Sequence, residues 1–262
     1  YIYKRKRDHI IVTQYGKKSF TALHYELHVK QKKFIILLKK LGMSIGDKTR
    51  QHIAVPDWIM DGNLIIKRLF LSGFFGAELS KPRTHSKTGF DCPVLGQNKI
   101  KSLEGSLRFF MLQITQLLES FNIKVNNLQI RDEFVNKYGE KTIRARLNIS
   151  SQEDNLLNLW RMIGFSYNIK RQVLSELAVF YILLKKQVTL ERISISRKIK
   201  EYKNQGFKLK EIQAIFNGSS VNNRFIERQF YEEVGQRIPL NFSSFKAFKK
   251  SRFTCWNNSL VS

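Results

Sequence analysis

Two hydrophobic periods alternate along this chain. Ile143, Ala145, Leu147 and Ile149 are apolar, and Arg144, Arg146 and Asn148 between them are not. Period two predicts a half-buried strand with a basic outer face. Leu23, Tyr25, Leu27 and Val29 alternate in the same way with His24, Glu26, His28 and Lys30. They predict a second strand with the apolar set pointing inward. Glu26 is an acid on the outer set and counts against an anionic ligand there. Elsewhere the period lengthens. Leu107, Phe110, Met111, Ile114, Leu117, Leu118 and Phe121 fall at i, i+3, i+4 and i+7, which predicts an amphipathic helix packed on a sheet and ended by the turn at Asn122. Val173–Leu184 predicts another apolar helix, and residues 191–204 a basic one.

The two strand patterns belong to a longer internal similarity. Tyr15-Gly16-Lys17-Lys18-Ser19-Phe20 is similar to Tyr138-Gly139-Glu140-Lys141-Thr142-Ile143, at an offset of 138 − 15 = 123. Leu27-His28-Val29 matches Leu147-Asn148-Ile149. Phe34-Ile35-Ile36-Leu37 and Leu41-Gly42-Met43 match Leu156-Leu157-Asn158-Leu159 and Ile163-Gly164-Phe165. Hairpin, strand and helix recur in order. The period is too long for a solenoid, so it predicts two pseudo-symmetric halves.

Charge narrows the partner. The 262 residues carry a formal +25, with pI about 10.1. Residues 1–50 hold 13 Lys and Arg against 3 Asp and Glu, and the rest of the excess is spread along the chain. A folded basic surface for a polyanion, most simply nucleic acid, fits this better than a basic arm. Aromatics at 12% exclude a disordered chain. Cys92 and Cys255 form neither a metal-ligand spacing nor a disulfide framework, which fits a reducing compartment. No apolar run reaches the roughly 18 residues needed to span a membrane. The first residue is Tyr, so an internal segment of a longer protein is expected.

One stretch carries candidate chemistry. Leu71-Ser72-Gly73-Phe74-Phe75-Gly76-Ala77-Glu78-Leu79 follows Val55-Pro56-Asp57-Trp58-Ile59. Ser72 and Gly76, and Gly73 and Ala77, are i, i+4 pairs of small residues, a smooth stripe on which a second helix can pack. Glu78 stands at the predicted C-terminus of that helix, where the dipole disfavours an anion and a divalent cation offsets the cost.

That nonapeptide resembles the motif of the LAGLIDADG (DOD-type) homing endonucleases. Its flanks and Gly164-Phe165-Ser166-Tyr167-Asn168 look like those of archaeal-type inteins. Glu78 stands where the motif's usual Asp lies, and Leu79 replaces its final Gly. The resemblance implies an α+β fold with a pseudo-two-fold axis, built of helix-strand-strand-helix-strand-strand-helix repeats with saddle-shaped antiparallel sheets. The first repeat is expected to be incomplete, with residues 1–50 as its C-terminal half and 51–186 as a complete second repeat. Residues 187–250 form a helical appendage like a helix-turn-helix, suggested by the Gly206 turn, Leu209, Ile212 and a third helix starting near Asn222. Residues 251–262 form a tail toward a splicing domain.

The resemblance further implies metal-dependent hydrolysis of double-stranded DNA. Mg²⁺ or Mn²⁺ would be held at Glu78 and Leu79, with Lys30, Gln97 and Lys99 as further catalytic residues. DNA contacts are expected at Lys81, Arg83, Lys87, Asn98, Arg131, Arg144, Arg146, Asn148, His28 and Arg224. An upstream first motif helix and an intein splicing domain are the implied partners. The implied location is cytoplasmic, near the nucleoid, and no membrane is involved. With one acid of the required pair, the chain alone is expected not to cut. The rival readings are a decayed DNA-binding module, an RNA maturase using the same sheet, and an unrelated basic DNA-binding or ribosome-associated protein.

Overall fold

A computed structural model of the chain describes residues 2–13, 16–232 and 238–259, and their side chains except those of 12, 13 and 253–259. Tyr15 of the first repeat copy and residues 260–262 of the expected tail lie outside the described residues. The architecture is α+β. Strands β1 (Ile2–Thr13) and β2 (Gly16–Leu27) form an antiparallel ribbon, and helix α1 (Lys32–Lys40) follows. Helices α2 (Asp57–Met60) and α3 (Leu64–Glu78) lead to strand β3 (Val94–Ile100) and helix α4 (Glu104–Glu119). Strands β4 (Val125–Val135) and β5 (Lys141–Ile149) come next. Then come α5 (Glu153–Asn158), which continues as a π turn over Leu159–Ile163, and the 36-residue α6 (Ile169–Asn204). Helices α7 (Leu209–Ile215), α8 (Asn223–Tyr231) and α9 (Phe245–Ser259) complete the order.

The second sheet has the order β3-β5-β4, all antiparallel, with β5 in the centre. Its inner face reads as β5 predicts: Ile143, Ala145, Leu147 and Ile149 are buried. They pack with the apolar stripe of α4 and with Leu71 and Phe75 of α3 in one core. Asn63 starts α3, its side chain accepting from the amides of Ile65 and Ile66. Asn122 ends the α4 segment at φ 55, a left-handed value that Asn tolerates. Between α3 and α4 two strands are expected and one forms. The other shrinks to the isolated bridges Leu79–Leu95 and Thr84–Phe90. Pro82 lies in that stretch and has no N–H for a ladder.

The first hairpin departs from its expected orientation. Leu23, Tyr25 and Leu27 are 44%, 67% and 73% exposed, and no residue of β2 or α1 is buried. Ala22, His24 and Glu26 are the more covered set. The cause is local. Glu26 pairs with Arg5 and Arg7 across the ribbon, and His9 and His24 meet at 2.8 Å, so the charged side closes on itself. Val29 and Lys30 lie beyond the end of β2, between strand and helix.

The small-residue stripe of α3 also meets something other than a partner helix. The turn at 166–168 fills it. Ser72 Oγ donates to Ser166 Oγ at 2.8 Å and accepts from the Ser166 amide at 2.8 Å. Asn168 Nδ2 donates to the Gly76 carbonyl at 2.8 Å, and a Cβ on Gly73 would stand 3.4 Å from the Tyr167 ring. Small residues are needed there because the chain's own loop approaches closely.

A second, smaller core gathers Ile195 and Ile199 of α6 with Ile212, Val221, Phe225 and Ile226. It falls within the 187–250 span of the expected appendage, and residues 191–204 are the end of α6 rather than a separate helix. The appendage does not extend to residue 250. Phe245 returns to the main core, and α9 runs straight across the expected 250/251 boundary.

Candidate nucleic-acid interface

The outer face of the three-stranded sheet is built by period two in each strand. On β5 it presents Arg144, Arg146 and Asn148. Register places Arg144 between Asn98 and Arg131, Arg146 between Gly96 and Gln129, and Asn148 between Val94 and Asn127. Directly opposed residues of neighbouring strands share a face. The result is a surface of arginine, asparagine and glutamine with one acid beside it. Glu133 Oε1 is 3.8 Å from Arg144 Nη1. Asn148 Nδ2 donates to Asn127 Oδ1 at 2.6 Å, which fixes the direction of both amides. Gly96 supplies no side chain, and the Arg144 guanidinium leans over it: a Cβ there would meet Nη2 at 3.6 Å. Arg146 Nε is buried with no hydrogen-bond partner.

The alternation divides the expected Gln97-Asn98-Lys99 cluster. Asn98 is exposed on the outer face, while Gln97 and Lys99 point to the other side. Lys99 is 2% exposed, and its Nζ donates to the carbonyls of Gln51, at 2.6 Å, and Lys48. Burial holds its ammonium below the usual lysine range, and nearby Lys48 adds to that while Asp47 opposes it. Lys99 therefore fastens the 48–51 segment against the sheet and does not meet a ligand on the outer face.

The other expected residues scatter. Glu78 is half-buried at the end of α3, and Leu79 is the buried cap residue after it. Lys30 and His28 lie in the connection after β2, where His28 touches Glu26 at 3.2 Å and Tyr3 ring to ring. Lys81, Arg83 and Lys87 are exposed on the excursion between α3 and β3. Arg83 Nε donates to Asp91 at 2.5 Å. Arg224 is exposed near the start of α8, in the separate small core's unit.

The donor set at Glu78 and Leu79 does not fit Mg²⁺ or Mn²⁺. Arg171 Nη1 donates to the Leu79 carbonyl and, at 3.1 Å, to the Phe75 carbonyl. A guanidinium thus occupies the helix end where a cation would sit. Among the described residues no group of three His, Cys, Asp or Glu could hold a metal ion.

Sequence reading passes over Asn127 and Gln129, although β4 carries the signal. Asn127, Gln129, Arg131 and Glu133 alternate there with Leu128 and Ile130. Among the described residues no helix is long and apolar enough to cross a membrane.

No family model and no solved structure matches the chain. Curated relatives do. The chain is 35% identical over 256 residues to a tRNA-splicing ligase RtcB of Pyrococcus furiosus, covering 96% of this chain and 25% of that protein. It is 31% identical to the tRNA-splicing ligase RtcB of Methanopyrus kandleri, again over 96% of this chain and 25% of that protein. These names contradict the expected homing endonuclease: the relatives are named as RNA ligases, not as intein-borne enzymes that hydrolyse DNA. On that finding the chain is not placed among the LAGLIDADG endonucleases. The DNA hydrolase activity, the double-stranded DNA partner, the upstream helix and the splicing domain go with that reading.

Neither does the ligase name pass to this chain, which spans about a quarter of those relatives. Two Methanocaldococcus jannaschii proteins match as well. One is a DNA-directed RNA polymerase subunit Rpo1N, 30% identical over 69% of this chain and 13% of that protein. The other is a replication factor C small subunit, 28% identical over 90% of this chain and 12% of that protein. The chain is similar to a segment that recurs in proteins of unlike name, of which it covers a quarter or less.

Proposed function

We propose that this chain is a nucleic-acid-binding module carried within a larger protein, and that the outer face of the β3-β5-β4 sheet is its binding surface. One observation carries the reading. Arg131 and Arg144 are direct cross-strand neighbours. Like charges so placed cost roughly 0.2–1 kcal/mol, and the single acid nearby stands 3.8 Å from Arg144 alone. An anion lying across the strands removes that cost. Phosphate oxygens suit the guanidinium fork, and the flanking Asn and Gln amides suit base edges. The names of the relatives support nucleic acid and nothing narrower: a tRNA-splicing ligase, an RNA polymerase subunit and a replication-factor subunit. A cytoplasmic location fits such a ligand and the cysteine spacing.

The test is fluorescence anisotropy with three labelled probes of equal length, an RNA stem-loop, a single strand and a DNA duplex, each titrated with salt. Binding of at least one probe is expected to fall steeply with salt. Arg144→Gln and Arg146→Gln should each weaken it about tenfold or more, or lower the log–log slope by about 0.7–0.9 for each lost phosphate contact. Wild-type affinity and slope in both variants would overturn the proposal. The preferred probe identifies which nucleic acid the surface takes.

A further inference from the structure

Helix α9 sends aromatic rings into the core and also carries cations that the core does not use. Phe245 is buried and Phe248 is half-covered, while Lys246, Lys250 and Arg252 are exposed. Residues 245–252 contain four Lys and Arg and no acid. The aromatic side is seated in a cage. Phe245 meets Phe90 at 4.9 Å and Tyr181 at 5.4 Å between ring centroids, and Phe248 and Phe242 also pack on Tyr181. Tyr181 Oη donates to the Ser243 carbonyl at 2.7 Å.

The same cage holds the excursion at 80–92. Phe90 is its aromatic anchor. The Phe245 amide donates to the Lys87 carbonyl at 3.3 Å, and Lys87 Nζ donates to the Leu240 carbonyl. Lys81, Arg83 and α9's outer cations are thereby tied into one unit. That unit joins one particular end of the sheet. The Ser80 amide donates to the Val94 carbonyl at 3.0 Å, and Ser80 Oγ accepts from the Val94 amide at 2.9 Å. Val94 is the register partner of Asn148.

We propose that the 80–92 excursion and the outer side of α9 form a second grip for the phosphate backbone of the nucleic acid on the sheet, taking the strand as it leaves the Asn127–Asn148 end. This rests on the sheet-face reading above. A strand that crosses Arg131 and Arg144 and continues past Asn148 leaves the sheet beside Val94, where the excursion joins it. The cations of the excursion and α9 are backbone contacts by chemistry, because lysine and arginine on a helix and a turn offer charge without the shaped amides of the sheet. The aromatic cage fixes α9 against the excursion, so that the two present their charges together.

The triple variant K246Q/K250Q/R252Q tests the charge directly, and its Arg252 change also removes the guanidinium that stands over the Phe248 ring at 5.5 Å. It should lower the salt slope by about 1–3 on the probe that binds best and shorten the protected length at one end only in a footprint. A slope and footprint equal to wild type would overturn the second grip. If the Arg144 and Arg146 variants also bind like wild type, the sheet reading fails. If those two lose binding and the triple variant does not, only the second grip fails. Phe245→Leu provides a further measurement. It should speed amide exchange at 80–92 in the free protein, and unchanged exchange there would show that the cage does not hold the excursion.

Discussion

Lys99 Nζ donates to the main-chain carbonyl of Gln51 at 2.6 Å, joining β3 to a segment 48 positions earlier. Hydrogen bonds from a charged donor contribute about 1.5–3 kcal/mol each. Lys99→Met keeps the apolar stem and removes the donor, so it should cost about 2 kcal/mol by urea denaturation. Exchange of the amides at 48–54 should rise most. The pH dependence has a definite sign. The folded pKa lies below 10.5, so the unfolded chain binds more protons in the window just under that value. Wild-type stability should therefore rise relative to Lys99→Met as pH climbs through that window. A flat difference between pH 8 and 10.5 would count against burial as the cause.

Arg171 closes the end of α3 where a metal was expected. Its replacement by Gln leaves the Phe75 and Leu79 carbonyls without their cation and should cost about 2 kcal/mol, or roughly 4–8 °C in Tm for a chain of this size. Millimolar Mg²⁺ or Mn²⁺ should leave the wild-type Tm unchanged, and Glu78→Gln should not alter that response. A saturable upward shift with either ion, lost in Glu78→Gln, would show that the carboxylate does hold a cation.

Gly96 leaves room for a neighbour's guanidinium. A methyl group at that position makes ordinary contact with Arg144 at 3.6 Å, so Gly96→Ala should bind nucleic acid as wild type does. Gly96→Leu extends into the guanidinium and should weaken binding about tenfold, with little change in the denaturation midpoint. Equal affinities for the two variants would mean that the position of Arg144 is immaterial.

Tyr181 titrates late. Burial pushes its phenol up to about 12, from a usual 10.0. Between those values the folded chain keeps a proton that the unfolded chain has lost, so stability should fall as pH rises above about 10. Absorbance at 295 nm should show a tyrosine that ionises after the others, absent in Tyr181→Phe. The residues around Ser243 should be the first to gain exchange in that pH range.

Period-two patterning made β5 readable in full, because each of its inward residues is a plain apolar side chain under helices. The same rule applied to β4 identifies Asn127 and Gln129, and applied to β3 it separates Asn98 from Gln97 and Lys99. A polar cluster in sequence is not a cluster on a strand. The first hairpin misleads because alternation says which residues share a face but not which face is covered. There the covering comes from Glu26, Arg5 and Arg7. The Ser72/Gly76 stripe was visible, but its occupant was not: Ser166, Tyr167 and Asn168 lie more than ninety residues away, and nothing local links them to α3. The aromatic cage around Tyr181 was illegible for a similar reason, since its rings come from the 80–92 excursion, α6 and the 238–259 segment.

Helix α6 contributes Ala178 and Ile182 to the main core and Ile195 and Ile199 to the small one. The turns between them, 183–194, hold no buried residue and belong to neither. Melting either core removes the packing from one half of a single run of main-chain hydrogen bonds. The two cores should therefore not denature as independent bodies. The smaller one, with a handful of buried side chains, inherits cooperativity from the larger through the shared helix. A glycine pair placed at residues 187–188 would uncouple them, and a second, earlier transition would then appear in a denaturation curve that is otherwise single.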